Sequence, residues 1–536
     1  MIQWVHNKNL EAYIIMKRLT ALILALMMLA TMAVACAETP DETPDDPTAD
    51  VQTTTPAPTP GTPDETTAGT SDPTTPAETT ADPGFIADIP EGTDFGMREI
   101  SILATGQPFS ADEFAADSIN GATVNDAVYA RNMAVEDALN VRLKVTVASP
   151  SSVYNVGNEI RTAVATGDKS YDLATMPGYT HTSYVLEGDF YNLLDVDGLD
   201  LEKKYWTQGF NEIMNNGTRQ YVASGAYSLS MYRNMYITLY NKDLFAANGL
   251  EDLYDIVLRD EWTYEKQGEL ARGVYNDLNG SSTRDGADLY GFVSGALTSV
   301  DPYWVSFNLP CLILQDDGEY KMGYDVEKMA DIVARVQDTL FNNEGVYSVG
   351  STSAEDGSDD TVIISHFNDS RAAMCTTMIF QIENFLTPNN FEDEYGIAPI
   401  PKYDKNQTEY YTHVQDQLSV IGMVSTVAEN EREIVGTVME KISEQSYEHV
   451  YPAYYKNALS YRYLQNEESV VMLDLIYNSI KIEGAFIYSG QFALLGKLRS
   501  VVSGNANRVA SVLKTYERTL GKAAEQLNIS LEKLKH

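Results

Sequence analysis

The chain has 536 residues, 44% of them apolar and 34 of them Tyr, enough for two or three domain-sized units with sizeable cores. Its formal net charge of −40 leaves no basic footprint and excludes nucleic acid as the partner. The three cysteines, Cys36, Cys311 and Cys375, form no Cys-x-x-Cys or Cys/His cluster, so no structural zinc motif is present.

Met16-Lys17-Arg18 precedes a 17-residue apolar run, Leu19 to Ala35, which closes on Ala33-Val34-Ala35-Cys36. Basic, apolar and small-residue regions in that order read as a signal peptide that starts at Met16, within a leader covering 1–36. The run is marginal for a membrane span, and acidic residues follow it instead of a basic stop-transfer cluster. Ala33-Val34-Ala35-Cys36 resembles a lipobox, with Ala33 where leucine is usual. Lipidation of Cys36 would supply two acyl chains, enough for stable attachment. The same residues also read as an ordinary A-x-A cleavage site, which would release a secreted protein.

Residues 37–94 hold 14 Asp/Glu, 11 of the 20 prolines and no Lys or Arg. Such a stretch buries too little apolar surface to offset its ordering entropy, and proline and charge repulsion extend it. We read it as a tether that holds a folded part off the membrane.

Alternation begins at Glu99 to Ala104, which reads as a strand. A helix follows over Asn125 to Leu139, with Val128, Val135 and Leu139 on one face. Val141 to Val147 is a second strand, Val156 to Thr166 a helix stopped by Gly167, and Tyr171 to Met176 a third strand before Pro177-Gly178. Strand, helix, strand, helix, strand predicts a parallel α/β sheet. Ligands of such sheets bind beyond the carboxyl ends of the strands, which brings Gln107 and the segment Met176 to Tyr184 near a site. A second pattern starts with a strand over Tyr236 to Asn241 and a helix from Lys242. Gln491 to Asn528 is strongly helical.

An ordered series of short motifs runs through this region: Thr166-Gly167-Asp168-Lys169-Ser170-Tyr171-Asp172-Leu173, Leu239-Tyr240-Asn241-Lys242-Asp243-Leu244-Phe245, Glu261-Trp262-Thr263, Phe367-Asn368-Asp369-Ser370-Arg371-Ala372-Ala373-Met374 and Tyr395-Gly396-Ile397-Ala398-Pro399-Ile400-Pro401. With this series residues 98–520 resemble the extracellular solute-binding proteins of family 1, the maltodextrin-binding-like lipoproteins of ABC importers. The resemblance implies a two-lobed α/β fold of periplasmic-binding-protein type II, with hinge crossings and a helical C-terminus. Lobe 1 would comprise 95–225 and a return segment 412–465; lobe 2 would comprise 226–411 and 466–536. The hinge would be crossed near Gly225 to Leu229 and again near Tyr411 to Gly422, and the lobes would close on a ligand.

The resemblance also implies site residues. Asp301-Pro302-Tyr303-Trp304 is similar to the Glu-Pro-Tyr-aromatic segment of maltodextrin-binding members, with Asp301 as hydroxyl acceptor and Tyr303 and Trp304 as stacking rings. Phe380 occupies the place of a stacking Trp, and Tyr179 lies in a loop that supplies polar contacts. Gln107 stands where a charged residue is an alternative. Aromatic plates with carboxylates and amides suit sugars, which have apolar faces and hydroxyl rims. For each ring the competing reading is core packing. Trp206 and Trp262 are read as structural, with Thr263 as a helix N-cap.

Asp277, Asn279, Ser281, Asp285 and Asp288 occupy positions 1, 3, 5, 9 and 12 of an EF-like loop, a candidate for structural calcium. Ser282 replaces the expected glycine and Asp288 the expected glutamate, so a solvated acidic turn is the favoured reading. No other metal or cofactor is expected. Phosphate-loop, Gly-x-Gly-x-x-Gly and Gly-x-Ser-x-Gly motifs do not occur. Adjacent acids such as Asp359/Asp360 and Glu392/Asp393 read as solvated pairs, since a glycosidase needs two acids facing each other across a bond. Cys311 and Cys375 read as two buried thiols, with a disulfide as the alternative.

The expected protein is a non-enzymatic, monomeric ABC-importer lipoprotein on the outer face of a Gram-positive cell membrane. It would bind a mono- or oligosaccharide and deliver it to permease subunits. The alternatives are a surface binding protein for a non-sugar solute and a carbohydrate-active lipoprotein enzyme.

Overall fold

Alternation in Arg98–Ala104 places Ile100 and Ile102 inward, and this strand, β1, is the centre of the first sheet in a computed structural model of the chain. The structure describes residues 83–323, 325–349, 359–386, 391–455, 467–504 and 508–534. The leader, Cys36 and the stretch up to residue 82 lie outside the described residues.

Helix α1 (Thr123–Leu139) buries Val128, Val135 and Leu139 and ends on Asn140 in the left-handed conformation, φ 48°. β2 (Val141–Val147) then runs parallel to β1, in register from Arg98↔Val141 to Ala104↔Val147. Helix α2 (Asn155–Thr166) stops at Gly167, whose φ of 69° carries no strain in the absence of a Cβ. β3 (Leu173–Pro177) pairs parallel with the other edge of β1. The remaining strands that frame the molecule are β4 (Tyr236–Asn241), β5 (Phe292–Gly295), β6 (Val346–Val349), β7 (Met374–Met378), β8 (Tyr395–Ala398), β9 (Thr412–His413), β10 (Ser419–Met423) and β11 (Ile480–Lys481).

They form two principal sheets, ordered β10-β3-β1-β2 and β6-β5-β7-β4-β8. β10 lies antiparallel to β3, and in the second sheet β4 lies antiparallel to both β7 and β8. The chain passes from the first sheet to the second through the helix Leu229–Arg233 and returns through β9 to β10. β9 pairs with β11, so the C-terminal segment joins the same crossing region. Gly225 sits at the first passage because a Cβ there would meet Ser443 Oγ at 2.4 Å and the Trp206 ring at 2.8 Å.

Among the described residues the C-terminal helical region contains the helices Leu494–Val502 and Val509–Lys533. Both Cys311 and Cys375 are buried free thiols. Trp206 and Trp262 are core residues, their indole N–H groups donating to Glu440 Oε2 at 3.0 Å and Pro399 O at 2.8 Å. Thr263 caps its helix by accepting from Lys266 N.

The tether expected over 37–94 is too long by its last dozen residues. The Phe85 ring stacks on Tyr447 with centroids 4.2 Å apart. Ala87 N donates to Glu444 Oε1 at 2.9 Å, and Asp88 pairs with Lys203 at 2.9 Å. Phe85, Ala87 and Ile89 supply apolar surface that the Thr/Pro-rich stretch before them lacks, and this surface packs on the fold.

Candidate functional site

Three features converge where the chain crosses between the sheets: the loop after β1, the carboxyl end of β7, and the segment Gln415 to Gln417 between β9 and β10. They enclose a cavity of about 440 Å³ with Thr298, Asp360 and the C-terminal residues Ser489 to Arg499. That volume lies in the ~300–1,000 Å³ range of small-molecule sites. Phe109, Met378 and Leu495 give it apolar walls; Gln381, Gln415, Gln417, Asp360, Asp416 and Arg499 give it polar groups. A larger groove of about 750 Å³ passes Leu258, Tyr410, Tyr411 and Lys481. It includes none of the loops at the carboxyl ends of β1, β3 or β7, where an α/β sheet places its ligand.

The cavity is held together from behind. Arg233, at the end of the crossing helix, donates to Asp112 Oδ1 and Oδ2 at 2.6 and 2.8 Å and to Phe109 O at 2.8 Å. Its Nε lies 3.4 Å from Glu383 on the far side. One buried guanidinium therefore ties the loop after β1 to the helix Ile379–Phe385 that follows β7. In front of it Phe109 and Phe380 meet edge to face, centroids 4.9 Å apart at 74°.

The resemblance-derived residues fall into two groups. Phe380 is not among the residues that line the cavity, but its ring packs against Phe109, which is. Tyr179 is half-buried beside Asp416, whose backbone carbonyl accepts from Tyr179 N at 3.1 Å; burial, with Asp416 second, raises the phenol's pKa. Asp301 is fully buried beneath the cavity and accepts from Arg499 Nε at 2.8 Å and from Arg499 Nη2. It orients the guanidinium and does not itself line the space. Burial pushes the Asp301 carboxyl up to about 6, with Arg499 pulling against it.

Tyr303, Trp304 and Gln107 are not brought into the cavity. Pro302 opens the short helix Asp301–Ser306, which turns the two rings inward. Tyr303 is fully buried, stacked on Phe307 at 5.2 Å and edge-on to Tyr264 at 5.0 Å. Trp304 is fully buried, and its Nε1 has no hydrogen-bond partner among the described residues. Gln107 is buried and donates through Nε2 to Pro150 O at 3.2 Å, linking the loops after β1 and β2.

The calcium candidate does not assemble. Asp277 accepts from Gly280 N and Ser282 N, and Asp285 accepts from Asn279 Nδ2 at 3.1 and 3.2 Å. Asp288 is buried and accepts from Tyr275 OH at 3.1 Å and Leu278 N at 3.3 Å. Ser281 bonds Thr283 O. The loop's oxygens serve its own turn, and no group of three or more His, Cys, Asp or Glu is placed to hold a metal among the described residues.

Sequence reasoning missed Phe109, Asp360, Gln381, Arg499 and the run Gln415-Asp416-Gln417. The run had a signal: a polar triplet inside the expected return crossing. Asp359 and Asp360 part company here. Asp359 accepts from Thr298 and Ser299 donors, whereas Asp360 lines the cavity and accepts from Thr298 Oγ1 at 2.7 Å. Asp416 keeps part of its surface open to the cavity although protein surrounds it. Burial, then the neighbouring Asp301, push its carboxyl up to about 7.

Two α/β sheets joined by repeated crossings, with a cavity between them at the strand ends, define the two-lobed fold of the periplasmic-binding-protein type. Solved structures agree. The structure of UspC from Mycobacterium tuberculosis is similar at a TM-score of 0.51 and 15% identity, over 79% of this chain and 100% of that one. The cyclic alpha-maltosyl-1,6-maltose binding protein from Arthrobacter globiformis is similar at 0.51 and 12% identity, over 80% and 100%. The galacto-N-biose-/lacto-N-biose I-binding protein of the ABC transporter from Bifidobacterium longum, solved with lacto-N-biose, is similar at 0.50 and 13% identity, over 81% and 98%. At these identities the likeness is one of fold. No protein-family model and no curated protein sequence matches the chain. Among the described residues, no helix is long and apolar enough to cross a membrane.

Proposed function

We propose that the chain is the solute-capturing lipoprotein of a bacterial ABC importer and takes a carbohydrate between its lobes. The observation that carries this reading is the cavity at the crossings, with Phe109 and Met378 as apolar walls and Gln381, Gln415, Gln417, Asp360, Asp416 and Arg499 around them. Apolar plates suit sugar faces, and carboxylates, amides and a guanidinium suit hydroxyl rims. The similar structures add support, since two of them are described as saccharide-binding proteins. In this reading Cys36 carries the lipid, the acidic Thr/Pro-rich stretch after it is the spacer, and the closed lobes are presented to permease subunits.

The test is a thermal-shift screen of the pure protein against mono- and oligosaccharides and polyols. A bound solute at about 100 times its Kd stabilises by about 2.7 kcal/mol, a clear rise in melting temperature. A peptide or other non-sugar solute giving the only rise would transfer the protein to the non-sugar alternative. A saccharide recovered cleaved from the mixture would make it an enzyme. Cys36→Ser tests the anchor: the variant should leave the detergent phase, and unchanged partitioning refutes lipidation.

A further inference from the structure

We propose that the captured solute carries a cationic amine and that Asp416 is the group that receives it. This rests on the carbohydrate reading and narrows it to amino sugars or other aminated polyols.

Asp416 lines the cavity, yet it forms no ion pair among the described residues. The basic residue lining the same cavity is Arg499, whose Nε and Nη2 are both held by Asp301. Beside Asp416, Gln415 is only 8% exposed, and its Oε1 is buried without a partner. A carboxylate without an ion pair and a buried amide oxygen without a partner thus stand next to each other in the chain on the cavity wall, beside a guanidinium that Asp301 already engages through two nitrogens. Asp360 adds a further carboxylate on the wall.

A buried polar acceptor without a donor is costly, and an unpaired buried charge more so. A neutral hydroxyl offers one donor and leaves the charge of Asp416 unbalanced. An ammonium group offers three donors and one positive charge. It can therefore satisfy Asp416 and Gln415 together. Burial, then the neighbouring Asp301, hold the Asp416 carboxyl up at about 7, with Arg499 pulling against them.

Titration calorimetry on the full chain tests this. The probes are glucosamine, galactosamine and the β-1,4-linked glucosamine dimer, each beside its N-acetylated and unaminated parent, with spermidine as a sugar-free amine. An aminated saccharide should bind roughly 10- to 100-fold more tightly than its neutral counterparts. Asp416→Asn, which keeps the side-chain shape, should remove that preference while melting at or above the wild-type temperature. Asp416→Ala should remove it equally. Neutral sugars binding as tightly as aminated ones would overturn the proposal and leave carbohydrate capture intact. A preference that survives in Asp416→Asn and Asp416→Ala would overturn the assignment to Asp416. Spermidine binding with no saccharide binding would support the cation site and refute the carbohydrate reading. Binding of no probe at all would refute both.

Discussion

Arg499 holds Asp301 across 198 positions of sequence, Nε donating to Oδ1 at 2.8 Å and Nη2 to Oδ2. The acid is fully buried, while the arginine side chain is about a quarter exposed, at 26%. Asp301 thus fixes a cation whose open side faces the cavity. Removing one partner of such a pair strands the other, at about 3–5 kcal/mol. Asp301→Ala should lower the melting temperature and weaken solute binding together. With Arg499→Ala added, the combined loss should be smaller than the sum of the two single losses. Strict additivity would mean the two side chains do not support each other.

Trp304 distinguishes packing from ligand contact. Its ring is fully buried. Trp304→Ala should cost about 3–5 kcal/mol through the cavity it leaves, seen as a lower denaturant midpoint. Affinity lost with the midpoint unchanged would instead make the ring a ligand contact.

The contact between Phe109 and Phe380 bridges the two sides of the cleft. An edge-to-face pair contributes about 0.5–1.5 kcal/mol beyond area burial. Phe380→Ala should weaken solute binding about twofold to tenfold, with only a small change in melting temperature. Scattering should show the unliganded variant more open than wild type; an unchanged profile and affinity would remove this contact from lobe closure.

Stability should fall as pH rises through neutrality. Asp416 and Glu440 are both pushed up to about 7, chiefly by burial. In the unfolded chain such groups titrate near 4. The folded state therefore holds these protons more tightly. The stability they contribute is complete below about pH 4 and is lost as pH rises through about 7. Thermal melts between pH 5 and pH 8 should decline, and Asp416→Asn should flatten the slope. An equal slope in the variant would place the titration elsewhere.

A chain beginning at Gly96 should be less stable than one beginning at Thr79. It loses the Phe85 stack on Tyr447 and the bond from Ala87 N to Glu444. The loss should be about 1–2 kcal/mol, a fall of a few degrees. Identical melting temperatures would return residues 83–94 to the tether.

Local pattern was sufficient for much of the framework. β2 runs over the same residues that alternate in sequence, and α1 and α2 end where Asn140 and Gly167 stop them. Periodicity and capping act within a few residues, so they can be read without tertiary information. The tether's end was misjudged over 83–94 because composition there still resembles the Thr/Pro-rich stretch while Phe85 and Ile89 already pack on the fold.

The site obeys different physics. Its walls come from Phe109, Asp360, Met378, Gln415 to Gln417 and Arg499, segments distant in sequence that meet only through strand order and the crossings. Of the residues that motif likeness named, Asp301 holds the lining residue Arg499 and Phe380 packs on the lining residue Phe109, but likeness could not tell which way a side chain faces. The helix Asp301–Ser306 turns Tyr303 and Trp304 into the core, and Asp301 toward Arg499. Whether an aromatic ring is core or platform, and whether an acid binds solute or holds an arginine, depends on which distant residues surround it. Chain patterning can announce a two-lobed α/β fold, but only packing decides which of its polar groups remain unpaired in the cleft.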